Sequence, residues 1–232
     1  MSGDARRCVK IKICGVTNEE DVRMVGAGGA DYIGILVDMP SPRSVSPERA
    51  LVLAGAASVA VVLLFQDAPV EKIASAARSI RPAAVQLQGD EPPEAARELK
   101  EKLSCEVWKT IHLPAETAAE RGFVERAGAV MRAYASAGVD RFVLDSVVVT
   151  GGERRMGGTG KTHDWKTAAE LVRISPVPVF LAGGLTPGNA ARALDEVRPG
   201  GLDISSGVEK TVGKKDAALV RMFVQNAGKR LP

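Results

Sequence analysis

The sequence predicts an α/β fold, a single (β/α)8 TIM barrel that takes up residues 1–232. Apolar runs of strand length recur eight times, and a segment with helical spacing of Ala, Leu, Ile and Val follows each one. The repeating unit averages about 29 residues, the size of one strand with its crossover helix. An open doubly wound sheet normally uses about five or six such units, whereas eight units close a barrel.

The predicted strands are almost continuously apolar, as parallel strands covered on both faces should be. We expect strands at residues 9–16, 31–37, 59–65, 83–88, 107–113, 141–146, 177–182 and 202–205. Helices are expected at residues 19–27, 47–56, 70–79, 93–103, 117–137, 164–174, 187–197 and 216–226. Caps, acidic residues or proline mark several helix starts, at Asn18, Ser46-Pro47 and Thr186-Pro187. Because no linker or shift in composition interrupts the pattern, we expect one domain.

Composition narrows the possible functions. The net charge of +3 suits a small anionic substrate, but the basic residues are scattered, which argues against nucleic acid as a partner. Three cysteines without framework spacing and a polar N-terminus predict a cytoplasmic protein. The longest weakly polar run, residues 51–65, is too short to cross a bilayer. His and Cys lack metal-ligand spacing, so no structural metal site is expected.

The stretch GGTGKT at residues 157–162 ends like a nucleotide-binding P-loop. That motif requires a glycine five positions before Gly160, but Arg155 stands there. The residues before the stretch, 150–156, are polar and rich in Gly and Arg, so the strand that should lead into such a motif is not expected there. We therefore assign these glycines to another phosphate.

In barrels the chemistry lies at the carboxyl ends of the strands, and the loops after the seventh and eighth strands commonly hold a phosphate. Glycines let the backbone approach phosphate oxygens closely, and serines add hydroxyl donors. The GGTG stretch follows the sixth strand, so three consecutive loops are expected to converge on one phosphate. Tight strand-to-helix turns are the alternative explanation for such glycines. The predicted phosphate-binding residues are Gly158, Thr159, Gly160, Gly183, Gly184, Ser205, Ser206 and Gly207.

Two residues at strand ends are candidates for proton transfer. Cys14 ends the first strand, and its thiol can act as a base if its surroundings lower its pKa; a packing role is the alternative. Asp145 ends the sixth strand, where burial should raise its pKa and suit it to be a general acid. These strands are three steps apart around the barrel, so the two side chains should face each other across its mouth.

Further candidates lie in neighbouring loops. Arg43, in a long loop after the second strand, offers a planar fork that matches a carboxylate, although a merely solvated arginine is the alternative. Asp203, just before the serines of the eighth strand, is a candidate ligand for a sugar hydroxyl or a structural acceptor. Gln88 ends the fourth strand.

Together these stretches resemble the phosphoribosylanthranilate isomerase family of tryptophan biosynthesis. The matching segments are VKIKICGVT, GADYIGI, SPRSVS, VQLQGDE, FVLDS, GGTGKTHDW, VFLAGGLTPGN and GLDISSGVE, in order between about residues 9 and 226. The pairing of Cys14 with Asp145 is the more specific part, because the related histidine-pathway isomerase has an aspartate in place of that cysteine. The family often has histidine at the position of Gln88 and an aromatic residue at that of Ser44.

The resemblance implies an Amadori rearrangement of N-(5-phosphoribosyl)anthranilate without a cofactor or metal. The sequence leaves open whether the chain is a monomer or a homodimer. It implies Asp145 as the acid that opens the furanose ring and Cys14 as the base that removes the C2 proton. Arg43 would hold the anthranilate carboxylate and Asp203 a sugar hydroxyl, while Gln88 would line the aromatic side of the pocket. The alternatives are an isomerase of a related phosphosugar amine and a phosphate-binding barrel without catalysis. Residues 147–156 are expected to form a loop that Gly151 and Gly152 make mobile.

Overall fold

The computed structural model describes residues 9–114, 122–150, 153–156 and 164–228. The strands in this part of the chain are β1 Lys10–Cys14, β2 Tyr32–Val37, β3 Ser44–Val45, β4 Ala60–Phe65, β5 Ala84–Leu87, β6 Glu106–Pro114, β7 Arg141–Thr150, β8 Glu153–Met156, β9 Val179–Leu181, β10 Gly201–Ile204, β11 Glu209–Thr211 and β12 Lys214–Lys215. The helices are α1 Glu19–Ala27, α2 Pro47–Gly55, α3 Val70–Ile80, α4 Pro93–Lys102, α5 Phe123–Ser136, α6 Trp165–Ile174, α7 Ala190–Val197 and α8 Ala217–Asn226, with a 3-10 helix at Ser206–Val208.

Eight parallel strands form a closed ring in the order β1, β2, β4, β5, β6, β7, β9 and β10, and β10 pairs again with β1. This ring confirms the predicted (β/α)8 barrel. Each predicted strand matches one strand of the ring, with boundaries that differ by a few residues. The apolar runs made this possible, because a strand buried on both faces leaves few positions where a polar side chain can lie.

Helix starts follow the capping residues that the sequence contains. The Asn18 side chain accepts a hydrogen bond from the Asp21 backbone N–H at 2.9 Å, and acidic residues fill the first turn of α1. Ser46 accepts from the Arg49 N–H at 3.2 Å, just before Pro47 begins α2. These contacts satisfy N–H groups that have no partner within a helix.

The apolar core has two layers. The larger lies between the strands and the surrounding helices, and the smaller fills the inside of the barrel. Inside, Trp108 stacks on Phe180 with ring centroids 5.0 Å apart, and Tyr32 meets the edge of both rings. Since side chains close the barrel interior at this level, only the opposite end of the ring is left for a substrate.

Several strands differ from the prediction. The expected loop at residues 147–156 is instead a hairpin, because β7 continues to Thr150 and pairs antiparallel with β8, Val147 opposite Met156. The prediction of a loop was wrong, since the β-branched run Val147–Val149 favours a strand. The short strands β3, β11 and β12 were not predicted, because their two or three residues carry no periodic pattern.

Helix α7 begins at Ala190, three residues after the predicted start at Pro187. The Asn189 side chain explains the delay, because its oxygen accepts from the Thr186 N–H at 2.8 Å and its amide donates to the Gly184 carbonyl at 3.0 Å. These bonds keep the chain in a turn before the helix. For α5, the predicted start at residue 117 falls outside the described residues.

In the part of the chain that the structure describes, none of the helices combines the length and the apolar character needed to cross a membrane.

Candidate active site

Three ionisable side chains meet at the mouth of the barrel, those of Lys12 and Cys14 on β1 and that of Asp203 on β10. Lys12 and Cys14 both point into the barrel, because residues two apart on a strand share a face. The Lys12 ammonium lies 2.7 Å from Asp203 Oδ2 on β10, and all three residues are buried. Burial is the largest single effect and would lower the pKa of Lys12, but the charges of Asp203 and Cys14 and the hydrogen bonds to both together hold the pKa above its ordinary value. Lys12 is therefore a fixed positive charge beside the thiol.

Cys14 does not have the lowered pKa that a base at this position was expected to need. Its burial is the largest effect and raises the pKa of the thiol above its ordinary value. Lys12 acts against this through its charge and a hydrogen bond, and Lys215 through its charge, whereas the charge of Asp203 adds to the rise. The pKa of the thiol is raised because the loss of water around the sulfur and the charge of Asp203 together outweigh the attraction to the two lysines.

Asp145 lies on β7, which is three strands from β1 around the ring by way of β10 and β9. Burial raises the pKa of Asp145 to about 7, and the negative charge of Asp203 adds to the rise. A carboxyl group that is still protonated near neutral pH can donate a proton, as expected from its place at the end of an apolar strand.

Gln88 contacts Asp145 instead of standing free in the pocket. Its side chain forms a hydrogen bond with the Asp145 carboxylate, which acts to lower the pKa of Asp145. The Gln88 side-chain oxygen accepts from Thr110 Oγ1 at 2.8 Å and from Gln86 Nε2 at 3.1 Å. With its oxygen held by these two donors, Gln88 turns its amide group toward Asp145.

Asp203 has one carboxylate oxygen in use and one available. Oδ2 accepts from Lys12, while Oδ1 is buried and has no hydrogen-bond partner among the described residues. A buried acceptor without a partner is costly, and a substrate hydroxyl would remove that cost. This observation fits the expectation that Asp203 binds a sugar hydroxyl.

Two of the three predicted phosphate loops lie next to each other. The loop after β9 contains Gly183 and Gly184, and the loop after the neighbouring strand β10 contains Ser205, Ser206 and Gly207. Both glycines of the first loop have positive φ, +82° and +63°. At Gly183 the fit is also tight, since an added Cβ would lie 2.7 Å from the Ser146 nitrogen. The third loop, with Gly158, Thr159 and Gly160, lies outside the described residues.

Arg43 lies above the end of β1, but its guanidinium already has a partner. Nε and Nη2 donate to the two oxygens of Glu209 at 2.8 Å and 2.7 Å. Glu209 also accepts from Lys215 Nζ at 2.9 Å, and Lys215 donates to the Ser205 carbonyl at 3.2 Å. The solvated arginine that the sequence left as an alternative is thus excluded.

Three further residues of the site were not predicted from the sequence: Lys12, Glu209 and Lys215. Lys12 gave a readable signal, because it is a charged residue in the middle of a buried strand and needs a partner there. Glu209 and Lys215 gave none, since each belongs to a short polar segment that looks like a surface turn.

Comparisons with known proteins show the family of this chain. The family model described as N-(5'phosphoribosyl)anthranilate (PRA) isomerase matches residues 11–226. The N-(5'-phosphoribosyl)anthranilate isomerase of Methanocella arvoryzae is 38% identical over 220 residues, which cover 93% of this chain and 96% of the relative.

Two solved structures are similar over almost the whole chain. Monomers generated from the dimeric phosphoribosylanthranilate isomerase of Thermotoga maritima superpose with a TM-score of 0.76 at 34% identity, covering 95% of this chain and 98% of that one. A phosphoribosylanthranilate isomerase bound to reduced 1-(o-carboxyphenylamino)-1-deoxyribulose 5-phosphate gives a TM-score of 0.77 at 32% identity, with the same coverage.

Proposed function

Because the chain belongs to the N-(5'-phosphoribosyl)anthranilate isomerase family, it is an isomerase of tryptophan biosynthesis, and we propose that Asp145 and Cys14 carry out its proton transfers. The reaction is the Amadori rearrangement of N-(5-phosphoribosyl)anthranilate to 1-(2-carboxyphenylamino)-1-deoxyribulose 5-phosphate. The substrate and the product are isomers, so protons move and the overall composition does not change.

Asp145 starts the reaction as the general acid. It gives its proton to the furanose ring oxygen, the bond from that oxygen to C1 breaks, and the nitrogen lone pair forms a C1–N double bond. The observation that carries this role is the pKa of Asp145, which burial raises to about 7 and so keeps much of the group protonated near neutral pH.

Cys14 completes the rearrangement as the base. Its thiolate removes the C2 proton, and the electrons of that bond form the C1–C2 double bond of an enolamine, which then tautomerises to the ketone. The positive imine makes the C2 proton acidic, and the Lys12 ammonium beside the sulfur stabilises the thiolate.

Substrate binding uses the groups around this pair. The free Oδ1 of Asp203 accepts from a sugar hydroxyl, and Arg43 binds the carboxylate on the aromatic ring. The loops at Gly183-Gly184 and at Ser205, Ser206 and Gly207 bind the phosphate through backbone N–H groups and serine hydroxyls, together with Gly158, Thr159 and Gly160. Gln88 orients the Asp145 carboxyl group toward the ring oxygen.

The test is the decay of phosphoribosylanthranilate fluorescence with the purified wild type, Cys14→Ser and Asp145→Asn. We expect fast decay with the wild type and a loss of at least about 10²-fold in each variant, since general acid–base groups contribute about 10²–10⁴-fold. Circular dichroism and the unfolding midpoint serve as controls for folding. Turnover retained in either variant would remove that residue from the mechanism.

A further inference from the structure

Arg43 and Glu209 form a bridge that spans the end of the strand carrying Cys14. Arg43 immediately precedes β3, in the connection that leaves β2, and Glu209 begins β11, just after β10 and the 3-10 helix. In the ring, β1 lies between β2 and β10, so the two partners approach from either side of it. An added Cβ on Gly15 would lie 2.6 Å from Arg43 Cδ, which shows how closely the arginine covers the end of β1.

The pairing uses only one edge of the guanidinium. Glu209 occupies the side-on edge, through Nε at 2.8 Å and Nη2 at 2.7 Å. A guanidinium has five N–H groups, so three remain, two on Nη1 and one on Nη2. Among the described residues no side chain or carbonyl accepts from Nη1. The N–H groups on Nη1 and Nη2 that form the remaining edge are spaced to bind the two oxygens of a second carboxylate.

Glu209 is itself held in a fixed plane. Lys215, whose side chain is fully buried, donates to Glu209 Oε1 at 2.9 Å and to the Ser205 carbonyl at 3.2 Å. Burial is the largest single effect and would raise the pKa of Glu209, but the hydrogen bonds and charges of Arg43 and Lys215 together keep the pKa below its ordinary value. Glu209 therefore stays ionised and cannot turn without losing a buried partner.

From this geometry we propose that Glu209 is a positioning residue that holds Arg43 with its free edge toward the substrate and so sets the preference for an arylamine carrying a carboxylate. The proposal rests on the substrate role of Arg43 in the proposed function. Glu209 touches no substrate atom. It fixes a long side chain that would otherwise lose rotamer freedom on binding, so the carboxylate meets an arginine that is already in place.

The experiment measures dissociation constants for two ligands, reduced 1-(o-carboxyphenylamino)-1-deoxyribulose 5-phosphate and its counterpart without the ring carboxylate. We expect the wild type to bind the first about 10²-fold more tightly, the size of a bidentate charge-assisted pair. Glu209→Gln keeps the shape of the side chain and removes its charge, and we expect it to reduce this ratio about tenfold. The affinity for the ligand without the carboxylate should stay the same, and in turnover KM should rise more than kcat falls.

The outcomes separate this inference from the proposed function. If Arg43→Ala leaves the ratio at its wild-type value, the substrate role of Arg43 is wrong. If Arg43→Ala abolishes the ratio while Glu209→Gln leaves it unchanged or weakens both ligands equally, only the positioning role is overturned. Should Glu209→Gln fold poorly because two cations then lack their shared partner, Glu209→Gln with Lys215→Met removes one cation and gives the same comparison.

Discussion

Gly34 on β2 makes room for the thiol of Cys14, the residue paired with it on β1. An added Cβ at Gly34 would lie 2.7 Å from Cys14 Sγ and 3.1 Å from Lys12 Nζ. The position faces the inside of the barrel, so a methyl group there has to displace the proposed base or its lysine.

We expect Gly34→Ala to lower kcat/KM by about tenfold or more and to destabilise the fold by about 1–3 kcal/mol, the usual cost of overpacking a core. Turnover and urea unfolding measure the two effects. Gly55→Ala is the matched control, because an added Cβ at Gly55 meets no atom within 4 Å. That variant should keep full activity and gain up to about 1 kcal/mol of stability. Wild-type kcat/KM in Gly34→Ala would contradict the close packing at the thiol.

The ionisation of Cys14 should respond in opposite directions to its two charged neighbours. Lys12→Met removes the group that lowers the pKa of the thiol, so the pKa should rise further. Asp203→Asn removes a negative charge that raises it, so the pKa should fall. Thiolate absorbance in the ultraviolet, measured against Cys14→Ser in a background without the other cysteines, follows both changes. Shifts in the same direction would indicate altered packing instead of electrostatics.

Asp145 should cost the protein stability at neutral pH. Its pKa rises on folding from an ordinary value of 3.8 to about 7, so the folded state binds more protons than the unfolded state in that interval. The stabilisation that this group contributes is fully present below about pH 4 and is lost as the pH rises through about 7. Above that pH it no longer changes.

We therefore expect Asp145→Asn to gain stability relative to the wild type as the pH rises. The gain should be on the order of 2 kcal/mol between pH 5 and pH 8, less than full conversion of the pKa shift, because the Asp145 side chain is only partly shielded from solvent. Urea unfolding at both pH values measures it. Equal pH dependence in the two proteins would mean that the carboxyl group titrates normally.

In the pH profile of kcat/KM, the limb at low pH should report the proposed acid, Asp145, and the limb at high pH the proposed base, Cys14. The proposed mechanism needs Asp145 protonated and Cys14 ionised, but the pKa of Asp145 is about 7 and that of Cys14 lies above its ordinary value. Only a small fraction of molecules is then in the active form. The rate should rise with pH up to about 7, stay level, and fall only above the pKa of Cys14.

Under this assignment the lower limb reports Asp145. Gln88→Leu removes a hydrogen bond that lowers the pKa of Asp145, so the lower limb should move to higher pH while the upper limb stays in place. The pH profile of fluorescence decay gives both limbs. Movement of the upper limb alone would reverse the assignment.

The sequence predicted the barrel because each strand of the ring is buried on both faces and so reads as an unbroken apolar run, as AVVLLF of β4 does. Chain order then placed Cys14 and Asp145 at the same end of the ring. The delayed start of α7 was not predictable, since Thr186-Pro187 is itself a good helix start and only the bonds of Asn189 to the neighbouring loop override it.

The direction of the pKa shift was predictable from the sequence for Asp145 but not for Cys14. For Asp145, burial and the nearby carboxylate of Asp203 both raise the pKa, so its position at the end of a buried strand was enough to predict the direction of the shift. For Cys14, burial and two lysines act in opposite directions, and the sign depends on distances between residues far apart in the chain. Pairs such as Arg43 with Glu209 arise only when two loops meet across β1.

The ion pair between Lys12 and Asp203 joins residues that are 191 positions apart. During synthesis Lys12 leaves the ribosome early and Asp203 near the end. For most of that time the growing chain therefore contains Lys12 and Cys14 without the carboxylate that pairs with the lysine. Under the proposed mechanism, the active site is therefore complete only when the last strand of the ring has been made. A truncated product that lacks β10 would present an open sheet edge on both sides of the gap and would be inactive as well as prone to aggregate.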